Sequence, residues 1–408
     1  MIKSMDSAVS AIKAQQSKLD VAANNIANVN TVGFKKSRTV FSTLLNTNVR
    51  TASRATDTRG GINPSTIGMG VQVSSIDTIH TQGILSSTGR ALDLAMQGDG
   101  FFTVTDGVNY YYTRNGAVNL STLDGSLALS NGMRLVGYPI NEETGEVDKS
   151  KGLVPITVPT GTDVVVQATT GVSFAGNISS SSEIGDVITI PFSSYDSLGA
   201  KHDFSMTLTI TDTGADWTVT HTDGLKVGGN TGSLKFDTNG KIDLASITGG
   251  PITLTPVGAE PMSVELDFSN VTRVDKASDF SMKSQNGMPA GTVESVSVTN
   301  GGNVTVSYSN GMTKDIAALG IALFDNPAGL LAQEDSLFTA TQNSGEVVMA
   351  AGAENTRANV LSGYLESSNV DVSEELTDMI KTQRAYQMAT KVVTTSDEML
   401  QELTNIKR

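Results

Sequence analysis

The sequence predicts a multidomain α+β protein: paired N- and C-terminal helices forming a coiled-coil-like core domain, plus two nested antiparallel β domains. Three observations predict it. Near the two ends of the 408-residue chain, apolar residues recur every seven positions: Met5, Ile12, Leu19 and Ile26 in one stretch, Val372, Met379, Tyr386, Val393 and Leu400 in the other. The middle is poor in charge (17 %) and in aromatics (5 %) and rich in Gly, Ser, Thr, Asn and Val, which favours strands and turns. Strand-like alternation also appears on both sides of a more Thr/Ser-rich stretch, so one β domain interrupts another. The expected boundaries are 1–34 with 365–408 for the helical core, 35–70 for an extended linker, 71–145 with 285–364 for an inner discontinuous β domain, and 146–284 for an outer inserted β domain.

The first helix is expected over residues 4–28, with Ser4 as its cap. Ala8, Val9, Ala22 and Ala23 complete its seam, while Gln15 and Gln16 interrupt it. A helix of this length is marginal alone and needs a packing partner. The run Asn24, Asn25, Asn28, Asn30 and then Gly33 ends it. From Lys35 to about Gln72 the chain reads as irregular, polar and basic, with Arg50, Arg54 and Arg59. Strands are expected at Val71–Ile79, Phe101–Thr105, Tyr110–Thr113, Leu127–Leu129 and Arg134–Tyr138, separated by Asp-Gly and Asn-Gly turns. In the insert, Phe204, Met206, Leu208 and Ile210 alternate with Ser205, Thr207, Thr209 and Thr211, as in a half-buried strand. Similar runs follow at Trp217–Val219, Leu234–Phe236, Ile252–Leu254 and Val264–Phe268, and a β-sandwich or small barrel fits them. The stretch Asn369–Ile406 reads as one long helix. Asp371 or Ser373 caps it, Glu374 and Glu375 suit its N-terminus, and Lys407 and Arg408 suit its far end. Leu376, Ile380, Ala389, Val392, Met399 and Leu403 flank its seam.

Composition narrows the chemistry. A net charge of −14 argues against nucleic acid, although residues 1–60 hold nine Lys/Arg and three Asp/Glu and are therefore basic. There is no cysteine. His80, His202 and His221 lack metal-ligand spacing. Asp237-Thr238-Asn239-Gly240 reads as a hairpin turn rather than a calcium loop, since the closing bidentate Glu is missing. Gly98-Asp99-Gly100 does not join a strand to a helix as a phosphate loop would. No catalytic, cofactor-binding or metal-binding residues are expected, and no enzymatic activity. The first residues lack the apolar core of a secretory signal. The longest apolar run, Ile316–Phe324, is too short to span a bilayer, so no membrane insertion is expected.

Four stretches carry a resemblance. Residues 23–34 (ANNIANVNTVGF), 89–104 (GRALDLAMQGDGFFTV), 112–139 (YTRNGAVNLSTLDGSLALSNGMRLVGYP) and 363–387 (GYLESSNVDVSEELTDMIKTQRAYQ) resemble, in order, the signatures of the flagellar rod and hook axial protein family. The insert resembles the outer domain of the hook members. The resemblance implies a structural subunit of the flagellar hook, self-assembling into a hollow, bendable helical tube that transmits torque and lets exported subunits pass. It implies as partners other copies of the chain, the distal rod protein, the hook–filament junction protein, the hook cap protein and the flagellar export apparatus. It places the protein in the bacterial flagellum at the cell exterior, exported without a cleaved signal peptide. It also assigns an assembly interface: Met5, Ile12, Leu19, Ile26, Asn25, Asn28, Gly33 and Phe34, with Leu376, Met379, Tyr386, Val393, Leu400 and Leu403. The seams could instead form an intramolecular coiled coil; the Gln15/Gln16 break, which weakens a single pair, favours use between copies. A distal rod subunit is the alternative within the family. Outside it, the alternative is a secreted β-rich adhesin or carbohydrate-active enzyme, against which the single Trp217 argues.

Overall fold

The computed structural model describes residues 2–54, 59–141, 144–159, 164–352 and 357–406. Two compact units emerge: Met1–Val158, Val296–Thr305 and Asp315–Arg408 form unit 1; Pro159–Ser295 and Val306–Lys314 form unit 2.

Unit 1 carries the two α-helices found among the described residues, α1 (Ile2–Ala27) and α2 (Val372–Ile406). Asp371 caps α2: its Oδ1 accepts the N–H groups of Ser373 (2.8 Å) and Glu374 (3.3 Å). Lys407 and Arg408, expected to close α2, lie outside the described residues. Phe101–Thr105 and Tyr110–Thr113 form a hairpin around a turn in which Asp106 Oδ1 accepts from Val108 N and Asn109 N. The buried part of Thr313–Leu323 pairs with Arg134–Pro139, Phe101–Thr105 and Val348–Ala351. Phe101, Tyr112, Phe324 and Phe338 close one core cluster through edge-to-face contacts 4.9–5.8 Å between centroids. The segment expected to be irregular holds strands instead. Ser37–Thr43 pairs with Val71–Thr78, and Asn46–Arg50 with Ser65–Gly68. The β-branched and aromatic residues of Ser37–Thr43 favour strand, which its basic, polar composition had obscured.

Unit 2 is a two-sheet sandwich. One sheet is an antiparallel meander of Val187–Tyr195, Lys201–Ile210, Gly214–His221 and Thr231–Lys235. The inner residues of Lys201–Ile210 are Phe204, Met206, Leu208 and Ile210, all buried as their alternation predicts. They pack with Phe174, Trp217 and Phe268 in one core. In the other sheet, Gly171–Asn177 runs parallel to Met262–Thr272 and antiparallel to Ser281–Gln285.

The expected fold class is therefore corrected. The chain is mostly β, with 45 % of it in strands, and it has no helical coiled-coil core domain with two antiparallel β domains nested in it. A coiled coil buries its seam residues. Here the residues that α1 and α2 bury fully are small or polar: Ala8, Ala14, Ala22 and Asn25, and Thr382 and Ser396. The cores are built from strands, and one strand pair in unit 2 is parallel, which a period of two cannot reveal.

Candidate assembly site

The site is the pair of helices together with the segment where the chain leaves α1 and the one where it enters α2. The C-terminal half of α1 faces the first turns of α2. Lys18 Nζ lies 3.3 Å from Asp378 Oδ2 and, past the end of α1, Lys36 Nζ lies 3.0 Å from Glu374 Oε2. Both pairs are exposed enough to be worth little alone. Thr382 and Ser396 are buried without loss, because their hydroxyls donate to Asp378 O and Val392 O one turn back.

What fixes this arrangement is a buried ionic knot. Glu366, just before α2, is wholly inaccessible. Its Oε1 receives Lys35 Nζ (2.6 Å) and Gly83 N (2.8 Å), and its Oε2 lies 3.4 Å from Arg114 Nη1. Lys35 also donates to Thr81 O (2.7 Å), and Arg114 to Gly98 O (2.7 Å) while its guanidinium sits 5.0 Å from the Phe101 ring centre. Burial pushes the Lys35 ammonium below its ordinary range, an effect opposed by the Glu366 carboxylate beside it and reinforced by Arg114. Burial likewise lowers the Arg114 guanidinium, again opposed by Glu366. His80, edge-on to Phe101 and Phe338, is pushed down to about 4 by burial first and then by the charges of Lys35 and Arg114. Three segments far apart in sequence thus share one carboxylate.

Backbone contacts reinforce the knot. Gly33 N donates to Glu366 O (2.8 Å), with Gly33 at φ +69°. A Cβ at Gly33 would lie 2.6 Å from Asn115 N, so both conformation and space require glycine. The Asn25 side chain brackets Ser37, accepting from its N (3.0 Å) and donating to its O (2.9 Å). Asn369 mirrors it from the other end, accepting from Lys36 N (2.8 Å) and donating to Ile79 O (2.8 Å).

Of the residues the sequence singled out, Asn25 and Gly33 are buried within this framework. Asn28 is half-buried and ties Asn24 to Thr31, and Phe34 is half-buried. Met5, Ile12, Leu19, Ile26, Met379, Val393 and Leu400 are all half-buried. Leu376, Tyr386 and Leu403 are exposed, and with Ile380, Met388, Val392, Met399 and Ile406 they leave α2 a long outward apolar surface. Sequence reasoning missed Lys35, Arg114, Glu366 and Asn369. Lys35 directly follows one quoted stretch and Glu366 and Asn369 lie inside another, but no spacing joins residues some 330 positions apart. The stretch read as a turn rather than a calcium loop is a turn: Asp237 Oδ1 accepts from Asn239 N and Lys241 N. Among the described residues no group of three or more His, Asp or Glu is arranged to hold a metal ion, and no helix is long and apolar enough to cross a membrane.

Comparison with known proteins covers both ends of the chain and much of its strand-built middle. Residues 5–35 match the family described as "Flagella basal body rod protein", and residues 361–406 match "Flagellar basal body rod FlgEFG protein C-terminal". Residues 95–179 match "Flagellar hook protein FlgE/F/G D1 domain", and residues 188–288 match "Flagellar basal body protein FlaE D2 domain". The flagellar hook protein FlgE of Borreliella burgdorferi is 35 % identical over the whole of both chains, and that of Treponema pallidum 30 % over the whole of both. The FlgE of Salmonella typhimurium is 32 % identical over 99 % of this chain and all of its own.

Proposed function

The chain belongs to the flagellar hook protein family and is a structural subunit of the flagellar hook, and from that premise we propose how its terminal helices build the polymer. Hook protein polymerises in the flagellum. The proposed polymer is a hollow, bendable tube in which α1 and α2 line the central channel and neighbouring copies cover the apolar surface that α2 leaves open. The observation carrying this reading is that surface: Leu376, Ile380 and Leu403 keep 46 %, 52 % and 48 % of their area exposed on a helix otherwise anchored by Glu366. Covering a half-exposed Leu or Ile contributes about 1 kcal/mol, so several such residues together supply several kcal/mol per added subunit. Contacts of this kind between different faces of successive copies generate a helix rather than a closed dimer. The half-buried row of Met5, Ile12, Leu19, Ile26, Met379, Val393 and Leu400 belongs to the same interface.

In this reading the distal rod protein receives the first subunits, the cap protein sits over the growing end and the junction protein succeeds it. Subunits reach that end through the flagellar export apparatus. The role is mechanical, not catalytic. The test is the pair Leu376→Asp and Leu403→Asp, each made alone. Both variants are expected to keep the circular dichroism and melting temperature of the monomer while failing to form polymers visible by electron microscopy. Polymers of normal yield from both would overturn the assignment of this surface.

A further inference from the structure

At one end of the meander in unit 2, a chain of groups has no part in the account above. The Asp223 N–H donates to His221 Nδ1 at 3.1 Å. That nitrogen therefore carries its lone pair, and a neutral His221 ring holds its proton on Nε2. Nε2 lies 3.4 Å from His202 Nδ1, which must then accept. The His202 proton is thereby placed on Nε2, 3.1 Å from Asp196 Oδ2. The other Asp196 oxygen receives Leu198 N (2.9 Å) and Ala200 N (2.8 Å). Asp196 is 3 % exposed and His221 6 %. When both rings are neutral, the hydrogen bonds run one way, from the Asp223 amide to the Asp196 carboxylate.

From this directional chain we infer that His202 and His221 form a single proton switch, which takes up one proton between them and in doing so releases the Asp223 amide. A proton arriving from solvent on His202 Nδ1 creates an imidazolium against Asp196. Two N–H groups then face each other across the ring pair. The alternative is for His221 to move its own proton to Nδ1, where it faces the Asp223 N–H. The second arrangement keeps the ring-to-ring bond and the ion pair and gives up only the amide contact, so it prevails. A second proton would set two imidazolium rings 5.5 Å apart with one buried carboxylate to balance them.

The surrounding charges do not change this count. Lys201 and Asp203 flank His202 on the exposed face of its strand and pair with each other at 2.8 Å. Tyr195 stands opposite Lys201 in register, and Glu260 reaches the 196–200 turn through its backbone N–H to Ser197 Oγ. The Asp223 carboxylate lies on the turn that is released. Asp196 is ready to receive the charge: burial alone would raise its carboxyl, but hydrogen bonds from His202, Ala200 N and Leu198 N hold it below the ordinary range. The same turn leans on Met288–Gly291, since a Cβ at Gly199 would lie 2.7 Å from Ala290 N. Met288–Gly291 pairs with Val165–Gln167, so the switch sits at the end of unit 2 that these two segments bind together.

The test is a histidine nitrogen spectrum of the dilute full chain, read with amide exchange from about pH 8 to about pH 5. Expected are two Nε2–H tautomers at the alkaline end and one coincident transition of both rings. Asp223 amide exchange, corrected for its intrinsic pH dependence, should speed up roughly tenfold in that same transition. Asp196→Asn should move the transition to lower pH. His221→Phe, which keeps a ring against Phe204, should leave His202 titrating alone without an Asp223 response. Two independent one-proton transitions, an Nδ1–H tautomer at alkaline pH, or Asp223 exchange that stays flat through the transition would each overturn the switch, and none of the three needs a variant.

Discussion

Glu366 holds together what the sequence keeps apart. Its carboxylate is the only anion in contact with Lys35 and Arg114 among their described ion pairs, and removing one partner of a buried ionic cluster leaves uncompensated charge. Glu366→Gln is therefore expected to destabilise unit 1 by about 3–5 kcal/mol, measured by urea unfolding of the monomer, with unit 2 unfolding at its usual midpoint. His80 adds a pH signature. Its pKa of about 4 lies below that of an unfolded histidine, so the neutral ring is the folded form. The stability this represents is complete above about pH 6.5 and falls as the pH drops towards 4, at up to about 1.4 kcal/mol per unit. His80→Leu should remove that part of the slope, seen as a smaller loss of melting temperature between these pH values than in the unsubstituted chain. None of this was legible in the sequence. A lysine, an arginine and a glutamate with no common spacing announce nothing until strands bring them together. Asn25 and Gly33 were expected at an assembly interface; within the chain, one brackets Ser37 and the other fits a space no Cβ can enter.

At the scale of elements, periodicity predicted what elements exist better than what they bury. The alternation of Phe204, Met206, Leu208 and Ile210 marks a strand with one face in the core, and that is how the strand lies. The seven-residue spacing near the two ends marks two helices correctly, yet Tyr386 is exposed and Met379, Val393 and Leu400 only half-buried. The physical reason is that the fully buried positions, Asn25 apart, are occupied by Ala, Thr and Ser, whose small side chains set the closest approach. Ala22 lines the cleft between α1 and the first turns of α2. Ala22→Leu should therefore wedge the helices apart and cost about 1–3 kcal/mol, read as faster amide exchange in α1 and the start of α2. The strand pairs of residues 37–68 escaped sequence reasoning because polar, basic residues dominate there. The parallel pairing of Gly171–Asn177 escaped it because direction leaves no mark on alternation.

For the whole molecule, the account rests on a division of labour. The strand-built cores of the two units fold on their own burial, while α2, held at its start by Glu366 and Asn369, keeps apolar area exposed that the proposed polymer would cover with neighbouring copies. That the middle of the chain is built from strands was legible in its composition; the ionic centre that anchors the helices was not. The most direct test is hydrogen exchange by mass spectrometry of residues 380–406, comparing dilute monomer with assembled polymer. The account predicts rapid exchange along this stretch in the monomer, with strong protection gained on assembly, while the strands of unit 2 stay protected in both. Full protection of residues 380–406 in the solitary chain, unchanged on assembly, would contradict it.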